Sequence, residues 1–111
     1  MNQPSIKLVV IRSADIEATV AFYQSLGFTF TDEQHGNGPR HFAVEINGLV
    51  FEIYPTRKAE DVDRTTRLGF SLPDLYAAIH ALRTQHAIVV EEPEPTAWGP
   101  RTVVRDPDGR A

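Results

Sequence analysis

The dipeptide Asn47-Gly48 constrains this chain more than any other feature. Asn-Gly tolerates the positive φ angles of a two-residue type I′ turn, and here it joins two alternating runs, so it predicts a β-hairpin over His41 to Tyr54. Counting outward from the turn pairs Ile46 with Leu49, Val44 with Phe51 and Phe42 with Ile53 on one face. The other face pairs Glu45 with Val50, Ala43 with Glu52 and His41 with Tyr54. The first face is wholly apolar. Burial contributes about 1.5–3 kcal/mol per large apolar side chain as an upper figure, and an isolated hairpin is marginal, so this face is expected to pack on a helix. Glu52 is left on the opposite face, where chemistry can sit.

Upstream, Ile6 to Ile11 reads as a strand, with Leu8, Val10 and Arg12 on one face and Lys7, Val9 and Ile11 on the other. Asp15 is the expected N-cap of a helix carrying Ile16, Val20, Tyr23 and Leu26 at helical spacing, closed by Gly27. Phe28 to Thr31 reads as a second strand, and Asp32 to Arg40 as a loop, because His35-Gly36-Asn37-Gly38-Pro39 is dense in turn formers. The first unit, residues 6–55, is then β-α-β-β-β.

Thr56 to Thr66 is a charged connector with almost no apolar residue. Beyond it the pattern restarts: shifting Asp15 onto Asp74, by 59 residues, also places Ile11 on Phe70, Ile16 on Leu75, Val20 on Ile79, Tyr23 on Leu82 and Phe30 on Val89. This is an internal repeat of residue character. The second unit, residues 67–111, is expected to hold a strand Arg67 to Leu72, a helix Asp74 to Gln85, a strand Ala87 to Glu91, a loop Glu92 to Pro100 and a strand Arg101 to Arg105. Asp106-Pro107-Asp108-Gly109 is the expected turn in the place of Asn47-Gly48. The counterpart of Glu52 falls two positions past Ala111, so the last strand of the second unit is missing and a longer chain or a tail is expected.

Composition narrows the function classes. A net charge of −4 and a pI near 5.5 leave no basic face to neutralise phosphates, against a nucleic-acid partner. The chain has no cysteine, hence no disulfide, thiolate metal site or cysteine nucleophile. No apolar stretch approaches the ~20 residues of a membrane span and no leader-like segment opens the chain, so a cytoplasmic location is expected. Ser5, Ser13, Ser25 and Ser71 sit in no nucleophile elbow, and no phosphate-cradling glycine loop or dinucleotide fingerprint is present.

Ile11-Arg12-Ser13-Ala14-Asp15-Ile16, Ala21-Phe22-Tyr23, Leu26-Gly27-Phe28, Phe51-Glu52-Ile53-Tyr54, Trp98-Gly99 and Asp106-Pro107-Asp108-Gly109 together resemble the vicinal oxygen chelate superfamily. That group includes glyoxalase I, bleomycin-resistance proteins, fosfomycin-resistance enzymes and extradiol dioxygenases. The resemblance implies an α+β fold, a single domain over residues 1–111 made of two tandem βαβββ modules curled around a cleft, often as a homodimer. In metal-dependent members a His or Gln on the first strand and a Glu on the fourth, from each module, hold a divalent ion that acts as a Lewis acid. Carried over by position, those places are Leu8, Glu52, Arg67 and one beyond Ala111. Leucine binds no metal and Arg67 is a permanent cation, so only Glu52 matches, no metal site is expected, and an Arg67–Glu52 ion pair, within one chain or across a dimer, is expected in its place.

The leading expectation is a small organic molecule bound in the cleft, lined by Leu8, Val10, Arg12, His41, Glu52, Tyr54, Arg67 and Trp98, with no cofactor. The competing reading is a glyoxalase-like lyase or extradiol-dioxygenase-like enzyme using one divalent ion, with Glu52 as ligand or general base. A third is a module for dimerisation or partner binding. Each residue also has a plainer reading: Glu52 as a half-exposed strand carboxylate, Arg67 as a solvated connector cation, His41 and Tyr54 as a surface pair, Trp98 as a packing plug. His35, His80 and His86 read as solvent-facing, and Glu91, Glu92 and Glu94 as an acidic edge.

Overall fold

The computed structural model describes residues 3–111. The first half is a four-stranded mixed sheet in the order β1-β4-β3-β2, built from β1 (Leu8–Ser13), β2 (Thr31–Glu33), β3 (His41–Ile46) and β4 (Leu49–Pro55). Helix α1 (Ile16–Gln24) follows β1, and Asp15 caps it by accepting from the Ala18 amide at 3.2 Å. The hairpin register is the expected one, with Val44 opposite Phe51 and Ala43 opposite Glu52. Its turn has the expected left-handed geometry, φ 49° at Asn47 and 89° at Gly48. β1 lies parallel to β4, Val10 opposite Glu52 and Arg12 opposite Tyr54.

A helix covers the apolar face, as the hairpin pattern requires. Phe51 and Ile53 are buried with Ile11 against Val20, Phe22 and Tyr23 of α1, and Ile79 and Leu82 extend this core. Ring edges meet ring faces through it, Tyr23 standing on Phe51 with centroids 5.2 Å apart.

The second half holds α2 (Leu75–Thr84), capped by Asp74 on the Ala77 amide at 3.0 Å, and a two-stranded sheet of β5 (Ile88–Thr96) and β6 (Gly99–Arg105). Arg57 to Thr66 runs exposed apart from Val62, with one 3-10 turn at Ala59–Asp61. No helix among the described residues is long and apolar enough to cross a membrane.

Several expected boundaries change. The first strand begins at Leu8 rather than Ile6, because its ladder starts where Val50 donates to the Lys7 carbonyl at 2.9 Å. The second is Thr31–Glu33 rather than Phe28 to Thr31: Phe28 and Phe30 turn into the aromatic core, and pairing to β3 starts only at Thr31 opposite Ala43. Glu92 to Pro100 is not a loop. β5 and β6 continue to a two-residue turn at Ala97-Trp98; Pro93 falls in the irregular stretch between Glu91 and Glu94, and Pro95 stands opposite Pro100 in this two-stranded sheet. Arg67 to Leu72 forms no strand. In the first half the equivalent segment, β1, gains its ladder from β4; no described strand supplies that partner here. A cavity of about 330 Å³ lies in that place, lined by Leu68, Phe70, Leu72, Ile79, Leu82 and Val103.

Candidate functional site

Strand alternation places Leu8, Val10 and Arg12 of β1, Val50, Glu52 and Tyr54 of β4, His41 and Ala43 of β3, and Thr31 and Glu33 of β2 on one face of the sheet. Cross-strand rows follow from the register. One reads Glu33, His41, Tyr54, Arg12, and its neighbour reads Thr31, Ala43, Glu52, Val10. Polar groups thus line up across the sheet beside an apolar strip, Leu8 and Val10, that remains 56% and 41% exposed.

His41 is the fixed point of the face. Its ring lies parallel to Tyr54, centroids 4.2 Å apart, and the Arg12 guanidinium carbon sits 5.6 Å from the Tyr54 ring centroid. Nδ1 donates to the Pro39 carbonyl at 3.2 Å, since a carbonyl only accepts; in the neutral ring the lone pair then sits on Nε2. Nε2 points to carboxylates on both sides, 3.4 Å from Glu33 Oε1 and 3.6 Å from Glu52 Oε2. Both distances exceed a good N–H···O bond, and Nε2 is buried without a hydrogen-bond partner. His35, in the β2–β3 loop, tilts over His41 with centroids 5.2 Å apart and brings its own Nε2 to 3.4 Å from Glu33 Oε1.

The structure brings together Leu8, Val10, Arg12, His41, Glu52 and Tyr54 of the expected lining. His41 is not an open surface residue, however: only 1% of it is exposed, because Tyr54 and the loop carrying His35 cover it. Arg67 and Trp98 stand elsewhere. Arg67 borders the cavity between α1, α2 and β6, away from Glu52, whose charged neighbour is His41, so the expected Arg67–Glu52 pair does not form within the chain. Trp98 is 97% exposed at the tip of the β5–β6 hairpin, neither rim nor plug. The sequence reading passes over Glu33 and takes His35 only as solvent-facing, although Glu33-Gln34-His35 has the i, i+2 spacing that puts two side chains on one side of an extended segment.

Three of the superfamily's metal positions fall within the described residues, and these three do not fit an ion: Leu8 stands exposed in the first-strand place with no ligand atom, Arg67 lies off the sheet face, and Glu52 alone offers an oxygen.

A second polar cluster is buried and structural. Asp108 accepts from the Ala14 amide at 3.0 Å and the Thr19 hydroxyl at 3.0 Å, pinning the final turn to the start of α1. Asp106 accepts from the Tyr23 hydroxyl at 2.8 Å and Arg110 Nη1 at 2.7 Å. Arg110 further donates to the Arg12 carbonyl at 2.6 Å and the Asp63 carbonyl at 2.8 Å, joining three segments through one guanidinium. Burial, reinforced by the Asp106 carboxylate, pushes the Tyr23 phenol well above its ordinary range and keeps it a donor.

Comparison with known proteins agrees with this architecture. Residues 5–111 match the family model of the Glyoxalase/Bleomycin resistance protein/Dioxygenase superfamily. An uncharacterized protein of Mycolicibacterium smegmatis is 24% identical over 109 residues, covering 98% of this chain and 90% of that one. A glyoxalase/bleomycin resistance protein from Streptomyces sp. CB03234 superposes with a TM-score of 0.64 at 23% identity, over 96% of this chain and 95% of its own. A superfamily member from Sphaerobacter thermophilus gives 0.65 at 22% identity, over 99% and 94%. The latter two likenesses are of fold, while the family match spans nearly the whole sequence, and the chain belongs to the glyoxalase/bleomycin resistance protein/dioxygenase superfamily.

Proposed function

We propose that the chain binds a small organic molecule on the sheet face that carries Leu8, Val10, Arg12 and Glu52, in the manner of the bleomycin-resistance branch and without an ion at the superfamily's metal position. The supporting observation is the exposed apolar strip of Leu8 and Val10 on a regular strand, bounded by the Arg12 cation and the Glu52 carboxylate. Covering it contributes about 25 cal/mol per Å² of apolar surface removed from water, and the flanking charges orient what covers it. The ligand expected from this chemistry has a flat apolar body and an anionic oxygen for Arg12.

The apolar cavity beside α2 is a weaker candidate. It measures about 330 Å³ and is bordered by Arg67, so it is the competing location for a small guest. One observation favours a second reading: β1 is an edge strand with apolar side chains exposed, which suits a second copy of this chain packed on the same face.

The probe is 8-anilinonaphthalene-1-sulfonate, an apolar ring system with one anionic group. Saturable fluorescence enhancement is expected, weakened roughly tenfold by Val10→Asp, which places a charge on the strip and one more anion near Arg12; an unchanged titration puts the dye elsewhere and sinks the reading. Sedimentation at two protein concentrations separates the dimer, which predicts a mass that rises with concentration and falls in Val10→Asp.

A further inference from the structure

We propose that Glu33, His35 and His41 form a binding site for a zinc-class divalent cation, on β2, β3 and their loop, at positions other than those of the superfamily's metal. One ligand atom from each residue lies within 4.8 Å of the other two. The edges are informative: His35 Nε2 and His41 Nε2 each stand 3.4 Å from Glu33 Oε1. Two donors at about 2.0–2.1 Å from one tetrahedral ion are separated by about 3.4 Å, so both edges match that spacing.

The independent observation is His41 itself. Its Nε2 is buried, has no hydrogen-bond partner and faces carboxylate oxygens at 3.4 and 3.6 Å. In the neutral ring a lone pair set against anionic oxygens is repulsive unless a metal cation lies between them. Holding Nδ1–H on a backbone carbonyl, here that of Pro39, is the outer support that fixes a metal-binding imidazole in the correct tautomer. Two imidazoles with one carboxylate favour zinc, or cobalt in its place, over magnesium and calcium, which take all-oxygen sites. Glu52 Oε2, 3.6 Å from the same Nε2, borders the fourth position.

The register supplies the reason these groups meet. Glu33 is the cross-strand partner of His41, and the loop of residues 34–40 folds His35 back over that pair. The site shares the sheet face with the ligand-binding strip but does not depend on it.

The test equilibrates the full EDTA-treated chain with zinc chloride, desalts it and measures retained zinc, with cobalt(II) in parallel to report geometry by its visible absorption. Near one zinc per chain and a tetrahedral cobalt spectrum are expected. His35→Ala and Glu33→Gln, neither of them a buried residue, should each weaken binding by roughly tenfold or more, whereas His80→Ala should not. No retained zinc, or retention equal in His35→Ala and the unaltered chain, overturns the site. Neither result affects the dye titration, so the two proposals fail separately.

Discussion

The His41 imidazole lies flat on the Tyr54 phenol, ring planes 7° from parallel and centroids 4.2 Å apart. The pair spans two central strands at the end of the hairpin, so each ring holds the other in one orientation while His41 faces Glu33 and Glu52. Aromatic pairs of this kind contribute about 0.5–1.5 kcal/mol beyond burial. Tyr54→Phe, which keeps the ring, should therefore change stability by less than about 0.5 kcal/mol, and Tyr54→Leu should cost about 1–2 kcal/mol in urea denaturation. Equal losses in both would mean the stack contributes nothing.

Arg110 joins the last turn to the first half of the chain through Asp106 and the carbonyls of Arg12 and Asp63. Arg110→Ala leaves the Asp106 carboxylate buried without its cation and should destabilise by about 3–5 kcal/mol. Arg110→Lys should recover little, because a single ammonium cannot reach three acceptors held by a fork. A Lys variant with the unaltered melting temperature would refute this account.

The Tyr23 phenol is raised by burial and by Asp106 above its ordinary value of 10.0. Its folded pKa exceeds the unfolded one, so its contribution is complete below about pH 10 and is lost as pH rises past it. Alkaline unfolding should therefore steepen above about pH 10 in the unaltered chain and less in Tyr23→Phe. Superimposable alkaline limbs would contradict the buried hydrogen bond.

At the acid end the sign reverses. Asp63 is held well below the usual carboxylate range, first by the Thr66 hydroxyl, then by the Thr65 amide and hydroxyl and the Thr66 amide. Asp32 is lowered by its hydrogen bond from Arg40. A depressed carboxylate stabilises above its unfolded pKa and loses that contribution as pH falls through the folded one, so stability should decline below about pH 4. Asp63→Asn should flatten the decline, read as melting temperature against pH.

The hairpin was legible because its information is local. Asn47-Gly48 fixes the turn, alternation fixes the faces, and Asp15 and Asp74 announce their helices. Gly48→Ala should cost about 1–2 kcal/mol from the left-handed backbone alone, since its new methyl group would meet nothing closer than Lys7 Nζ at 3.8 Å. The misses are long-range. Nothing near Arg67 to Leu72 says that this β-like segment finds no ladder. Asp106 and Asp108 read only as parts of a turn and Arg110 carries no signal at all, yet their partners lie about the first strand and helix, far away in sequence. Likewise, the Glu33–His35–His41 cluster exists only once β2 pairs with β3. Position in the repeat aligns Arg67 with Leu8, but without the ladder of its counterpart Arg67 lies elsewhere.

The most direct test of the ligand-binding reading is an amide-shift map of the isotope-labelled chain titrated with 8-anilinonaphthalene-1-sulfonate. The account predicts saturable shifts concentrated at residues 8–12 and 50–54, the two strands that frame Leu8, Val10 and Glu52. Shifts concentrated instead at residues 68–82, around the apolar cavity, or no saturable shifts at all, would contradict it.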